Sequence, residues 1–399
     1  MKKYAILILI FTLLLLQACS RTNPDTQQAA LPSPTPSPTE PNAPDIVRDI
    51  PPEISEPEQK PVKSEPCVVP LTPNPIPKEK QRPFIVTYET YVPDATVIIL
   101  LHEAYDAMKN LWYPTDIEYD CDMDGIYEEQ RTNTDYGIPI GCRFEKPGLH
   151  QIAMRGDLPH LVLDHVADYE DYTDNFNLIS IDQWGDIRWK SMSWLLAYRD
   201  KSNPDTHEPH YPELRAKDTP DLRDVCDMSG MFAGNKTFNS PIGHWDVSHI
   251  EDMGSTFASC TSFNQDISAW DVSNVKYMNS MFANATSFDQ DISKWDVSNV
   301  TAMGDMFMQA TSFNQDISKW NVSNVKYMFR MFEDAISFDQ DLSRWDVTSL
   351  TSVYGMFASK DKTKTICPKC ESLRQKILKK NEHLAPYQDP LDFTPKDYY

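Results

Sequence analysis

Residues 278–302 read MNSMFANATSFDQDISKWDVSNVTA, and this phrase returns every 25 residues between Met228 and Ala358. Met228, Met253, Met278, Met303 and Met328 form one column, which Val353 closes. Phe232, Phe257, Phe282, Phe307, Phe332 and Phe357 form a second, and Phe238, Phe263, Phe288, Phe313 and Phe338 a third. Trp245, Trp270, Trp295, Trp320 and Trp345 form a fourth, each followed two places later by Val. No insertion or deletion breaks the register. Twenty-five residues cannot enclose a core, so each unit must lend its apolar face to the next, and the spacing predicts a stacked array. Within a unit the apolar spacing changes. Met-x-x-Met-Phe-x-x-Ala suits a helical or 3₁₀ turn, and Trp-Asp-Val-Ser-Asn-Val suits a short extended segment. Each buried Trp or Phe gains roughly 2–3 kcal/mol, so we read these columns as core and not as a ligand stack.

The polar columns need a different account. Asp266, Asp291, Asp316 and Asp341 make one ladder; Asp246, Asp271, Asp296, Asn321 and Asp346 make another. Carboxylates stacked at about 4.8 Å repel by ~1 kcal/mol in water and by ~3 kcal/mol at an effective dielectric of 20. Turn amides accepted by the Asp side chains would offset this; bound cations are the alternative. Gln265, Gln290, Gln315 and Gln340 suggest a side-chain amide ladder.

The phrase Trp-Asp-Val-Ser-Asn-Val-(Thr/Lys)-x-Met-x-x-Met-Phe-x-x-Ala-x-Ser-Phe-(Asn/Asp)-Gln-Asp-(Ile/Leu)-Ser resembles the BspA-like leucine-rich-repeat surface proteins. Their unit is also known as a domain of unknown function from mycoplasma lipoproteins. The resemblance covers roughly a third of the chain. It implies a leucine-rich-repeat-like solenoid on a bacterial surface or secreted protein, with some members acting as adhesins for host proteins. It brings no catalytic residues.

Residues 1–19 read as a lipoprotein signal. Lys2 and Lys3 precede the apolar run Ala5 to Leu16, and Leu16-Gln17-Ala18-Cys19 fits a lipobox whose Cys19 becomes the lipidated residue. Several acyl chains are needed for firm anchoring, and Ser20 after the Cys resembles the pattern for outer-membrane delivery. The expected location is therefore the bacterial outer membrane or cell surface, with the membrane reached through the lipid only. Residues 20–82 form a Pro-rich linker, since 16 of the 31 prolines exclude helix and sheet there. Sixty-odd residues at ~3.1 Å each reach nearly 190 Å at most.

Residues 83–178 change character. Phe84 to Tyr91 alternates as a strand, and Ala95 to Leu101 is a buried-strand candidate. Ile117 to Tyr127 reads as strand, turn, strand, and Cys142 to Met154 as a further hairpin. Together these predict a small β-sandwich. Phe144 to Ile152, with its Pro147-Gly148 turn, resembles PKD-type immunoglobulin-like modules. Cys121 and Cys142 lie on neighbouring hairpins of an exported chain, which predicts a disulfide stabilising by about 3 kcal/mol in the chain-entropy model. Asp120-x-Asp122-x-Asp124-Gly125 imitates the start of a calcium loop, but Arg131 stands where the bidentate Glu belongs. An Asp-rich turn without metal is the leading reading and a Ca²⁺ site the alternative; no other cofactor is expected.

Residues 179–227 are read as degenerate first coils with an insertion, because Trp184 to Met192 repeats the spacing of Trp245 to Met253. Residues 228–358 are the array, and residues 359–399 a cap and tail with Cys367-Pro-Lys-Cys370 and a helix from Glu371 to Leu384. Cys260 takes the place of a repeat Ala, where a reduced thiol packs well. A formal charge of −22 argues against nucleic acid and anionic membrane surfaces. No nucleophile elbow, P-loop, dinucleotide fingerprint or HExxH is present, and His102-Glu103 lacks the second His of a zincin. The expectation is a monomeric, non-enzymatic lipoprotein binding a protein such as a host or extracellular matrix component. Lys276, Tyr277, Thr301, Lys326 and Tyr327 are the contact candidates. The alternative is an envelope scaffold or spacer without a specific ligand.

Overall fold

Alternating apolar residues such as Phe84, Val86 and Tyr88 make strands, and repeated Met, Phe and Trp make a second kind of core, fused to the first. The computed structural model describes residues 74–101, 105–106, 111–112, 116–127, 129–132, 140–157, 161–162, 176–198, 210–361 and 366–380. All fall in one compact unit, Lys60–Tyr399. The expected signal segment with Cys19, the linker to residue 73 with Cys67, His102-Glu103, residues 201–209 and residues 381–399 lie outside the described residues. The structure is mainly β with one α-helix, and no described helix is long and apolar enough to cross a membrane.

The strands are β1 (Phe84–Thr90), β2 (Ala95–Leu101), β3 (Tyr105–Asp106), β4 (Leu111–Trp112), β5 (Asp116–Asp120), β6 (Glu129–Thr132), β7 (Ile140–Phe144), β8 (Gly148–Asp157), β9 (Leu161–Val162), β10 (Phe176–Gln183) and β11 (Glu213–Leu214). One sheet has the order β11-β10-β1-β8-β5-β6, a second β7-β2-β9, and β3 pairs with β4. In β1, Phe84, Val86 and Tyr88 are fully buried, which is what a period of two requires of a strand facing a core. Cys142 to Met154 departs from the expected hairpin. β7 pairs with β2, while β8 runs between β1 and β5. The link across Glu145–Pro147 thus crosses between sheets. The Cys121–Cys142 disulfide ties the end of β5 to β7 across the same two sheets.

β10 runs through residues 178 and 179, so the boundary expected there falls within one strand. Three Trp rings extend the junction. Phe84 packs at 5.9 Å on Trp184 and 5.1 Å on Trp189, and Trp184 packs edge-on at 5.6 Å against Trp245. Met192, Trp194 and Leu196 donate backbone bonds to Asp227, Ser229 and Met231, the same pairing that later units make. One buried cluster therefore runs from Phe84 to Ile377.

Through the repeats, parallel bridges join Asp227, Asp252, Tyr277, Ala302, Tyr327 and Ser352 at the 25-residue step. Inside, Phe257, Phe282, Phe307 and Phe332 stack at 5.6–5.7 Å with planes within 10° of parallel. Phe282 also lies on Phe288 of its own unit at 4.0 Å. Each indole of Trp270, Trp295, Trp320 and Trp345 donates at 3.1–3.2 Å to an Ile carbonyl of the preceding unit. The aromatic columns are buried, at most 5% exposed, and the indole N–H groups of Trp270, Trp295, Trp320 and Trp345 are satisfied.

Each full unit also turns twice through left-handed backbone. Ser255, Ser259, Ser280, Asn284, Asp305, Gln309, Arg330 and Asp334 have φ between 48° and 60°. Such a residue costs about 1–2 kcal/mol. The turn is offset because it aims the N–H at the next unit: Ser255 to Asn279 O at 2.8 Å, Ser259 to Ala283 O at 2.6 Å.

At the far end, Cys367 and Cys370 are joined by a disulfide and lead into α1 (Glu371–Lys380), whose Leu373 and Ile377 are buried. The Arg374 guanidinium lies 4.7 Å from the Phe357 ring centre and donates to Ile366 O at 2.8 Å. Cys260 is a free, buried thiol donating to Phe232 O, its pKa pushed up by burial. Cys226 is disulfide-bonded to a partner outside the described residues.

Candidate functional site

The two long faces of the repeat differ in what their side chains are already doing. On one, the Asp and Asn side chains are consumed within the chain. Asp266, Asp291, Asp316 and Asp341 each accept the N–H two residues on, from Ser268, Ser293, Ser318 and Ser343, at 2.9–3.0 Å. The second ladder does the same, as in Ser273 N–H to Asp271 and Ser298 N–H to Asp296, both 3.0 Å. The Ser hydroxyl and amide hold the Asp266, Asp291, Asp296, Asp316 and Asp341 carboxyls below the usual range; the bond from Ser268, for instance, outweighs the repulsion that Asp266 receives from Asp291. Turn capping therefore accounts for both ladders. The Gln column does not bond to itself. Gln290, Gln315 and Gln340 reach back to the Asn264, Asp289 and Asn314 side chains at 2.9–3.0 Å. Those side chains in turn accept the amides of Asp289, Asn314 and Asp339, all at 2.9 Å.

The other face carries the bridge column and its neighbours, and here successive units disagree. Position 252 of the first unit is Asp, followed at the 25-residue step by Tyr277, Ala302, Tyr327 and Ser352. Two residues on, the series is Gly254, Asn279, Gly304, Phe329, Tyr354. The intervening Met points inward, so both series point outward. Phe329 lies over Gly304, where a Cβ would meet its ring at 2.4 Å, and stacks on Tyr354 at 5.5 Å and 6°. Tyr277, Tyr327, Phe329 and Tyr354 are half-buried, and the bridges set Tyr277 and Tyr327 on either side of buried Ala302.

The five contact candidates lie together on this face. Lys276 reaches Glu251 at 3.0 Å, Thr301 donates to Lys276 O at 3.2 Å, and Lys326 is exposed beside Tyr327. Beside them sits a charge cluster that sequence reasoning missed. Arg330 Nε approaches Asp305 Oδ1 at 2.8 Å, badly aligned for a hydrogen bond, while Nη2 bonds Oδ2 at 3.1 Å. Burial pushes the Asp305 carboxyl up against the pull of Arg330, and does the same to Glu333. Phe329, Tyr354 and Arg330 were findable as departures from small residues in their columns.

Away from the repeats, Asp120, Asp122 and Asp124 each offer one oxygen within 4.8 Å of the others, and are the group that could hold a metal among the described residues. Both oxygens of Asp120 and one each of Asp122 and Asp124 accept backbone amides. Buried Asp120 accepts from Asp122, Met123 and Gly125 amides at 3.2, 2.7 and 2.9 Å, Asp122 from Asp124 at 3.2 Å, and Asp124 from Ile126 at 2.7 Å. Met123 at φ 64° and Gly125 at φ 86° complete a tight Asx-type loop.

Residues 211–299 and 276–369 match the family model described as "Mycoplasma protein of unknown function, DUF285". No curated protein matches the chain, and no solved structure does.

Proposed function

We propose that this chain is an exported, lipid-anchored surface protein of the BspA-like kind, in which a PKD-like β-sandwich leads into a solenoid of 25-residue coils. The bridge-column face of that solenoid binds a protein partner, an extracellular host or matrix component. The observation that carries this reading is the gathering of aromatic departures from the repeat on one face. Columns that hold the array together are uniform and internally bonded, whereas Tyr277, Tyr327, Phe329, Arg330 and Tyr354 depart from their columns and leave ring surface facing solvent. Tyr, Phe and Arg are the residue types through which interfaces gain most of their energy. The Pro-rich linker would hold this face clear of the envelope.

The test is capture of candidate matrix and serum proteins by the soluble chain from Pro83 onward, followed by titration. Saturable binding that falls at least about tenfold in Tyr327→Ser/Phe329→Ser, with the circular dichroism unchanged, supports the reading. Absence of any saturable partner, with protease shaving still locating the protein on intact cells, leaves an envelope scaffold instead.

A further inference from the structure

Trp194 is the exposed tryptophan among the described side chains. It is 43% exposed, while Trp184, Trp189 and the five repeat tryptophans are at most 5% exposed. Its N–H donates to Ser229 O at 2.9 Å as Arg330 donates to Tyr354 O at 2.9 Å, so the two residues hold equivalent places in the first coil and a later one. Trp194 therefore stands on the face that carries Phe329, Arg330 and Tyr354. The indole lies face-on against Gly230, where a Cβ would meet Cδ2, Cε2 and Cε3 at 2.6–2.8 Å. The Phe329 ring lies on Gly304, where a Cβ would also collide with it. Glycine makes both seats, because any other residue would lift the ring. Rings fixed in this way and left in solvent are the side chains from which interfaces draw most of their energy.

The spacing of the two seats limits what can reach both. Gly230 and Gly304 are three units apart, and the Phe column beside them advances 5.6–5.7 Å per unit, about 17 Å in all. Six residues of extended chain reach about 19 Å and bring a side chain back to the same face, by a period of two in a strand or of three in polyproline II. Between the seats stand Ser229, Gly254, Ser255, Asn279 and Ser280. An extended segment has backbone donors and acceptors to offer these polar groups, whereas those of a helix are already bonded within it. The same stretch carries Asp227, Glu251, Asp252 and Asp305 against Lys276, in a chain of net charge −22, which favours a basic occupant. Resting on the reading that this face binds a protein, we infer that Trp194 is its second anchor. The contacting part of the partner is an extended basic segment with two large apolar side chains about six residues apart, one on Trp194 and one on Phe329.

The probe is the fluorescein-labelled peptide Ser-Phe-Lys-Thr-Lys-Thr-Lys-Phe-Ser, titrated by anisotropy into the full chain. It should bind at least about tenfold tighter than the same residues with the two Phe adjacent, and than a form with Glu for each Lys. Trp194→Ser, with circular dichroism unchanged, should weaken it by at least about tenfold. If that variant does not fold, the unaltered protein still gives a readout: unlabelled peptide should shield tryptophan emission from acrylamide, which reaches Trp194 before the buried indoles. Equal affinities across the peptides, tighter binding of a helical peptide with its Phe residues about eleven apart, unchanged affinity in Trp194→Ser, or unchanged quenching would each overturn the second anchor. A captured protein partner weakened by Tyr327→Ser/Phe329→Ser but not by Trp194→Ser would overturn it and leave the protein-binding reading standing. A partner weakened by neither would overturn both.

Discussion

The repeat and the sheet solve the same burial problem by different means. In the repeat, partners are fixed by arithmetic: Phe282 meets Phe307 because each unit is 25 residues long, and every column offers the same contact again. In the sheet, partners are chosen by competition. β7 and β8 adjoin in sequence yet join different sheets, and the disulfide between Cys121 and Cys142 bridges what the chain separates. A periodic sequence states its own contact map, whereas an alternating one states only which side of a strand is wet.

The two regions nevertheless share the ring cluster at Phe84, Trp184 and Trp189. Phe84→Ala should cost about 3–5 kcal/mol and, if the regions unfold as one, shift a single urea transition. Two separate transitions, with the later one unmoved, would break the comparison by making the repeat independent of the sheet. Cys121→Ser with Cys142→Ser should cost about 3 kcal/mol. Its effect on exchange should be confined to residues 84–157, leaving the amides of residues 253–334 protected.

Acid should act mainly on the repeat. The Asp266, Asp291, Asp296, Asp316 and Asp341 carboxyls are held below 3.8 by the Ser bonds. A lowered folded pKa gives stability that is complete above the unfolded value and lost as pH falls through the folded one. Melting temperature should therefore hold from pH 7 to 5 and drop below pH 4, with a shallower drop in Asp291→Asn. The Asp305 and Glu333 carboxyls, raised by burial, act with the opposite sign, favouring the fold at low pH and losing that contribution as pH rises through their folded values.

Ser280→Gly should raise stability by about 0.5–1 kcal/mol, since Gly relieves the left-handed strain at φ 55° but loosens the unfolded chain. A destabilised variant on denaturant titration would show that its side chain matters more than its backbone. The smallest effect is expected at Asp120, Asp122 and Asp124, where backbone amides already bond both oxygens of Asp120 and one each of the other two. Calorimetry with calcium should give only heats of dilution, and saturable heat abolished by Asp124→Asn would make the loop a calcium site.

Much of the candidate face could be read without coordinates. Tyr277 and Tyr327 stand out where a column changes identity. Phe329 and Tyr354 carry the same signal but replace Gly and Asn, residue types that turns also favour, so their outward stacking was hidden. Asp305 and Arg330 also depart from their column, but their pairing between units was hidden because it depends on rotamers and not on spacing. The left-handed turns left a trace only at the two ends of the array, in Gly230, Gly234 and Gly355; in the inner units Ser, Asn, Asp, Gln and Arg occupy the same positions and give no such signal.

The order of amino acids by itself determined the 25-residue register, the inward columns and the strand alternation of β1, because hydrophobic burial is periodic wherever the backbone is. Tertiary structure alone decided the partners of β7 and β8, the twice-turning backbone of each unit, and which long face keeps rings exposed. Those outcomes rest on competition among contacts far apart in the chain, and local spacing holds no record of which contact wins.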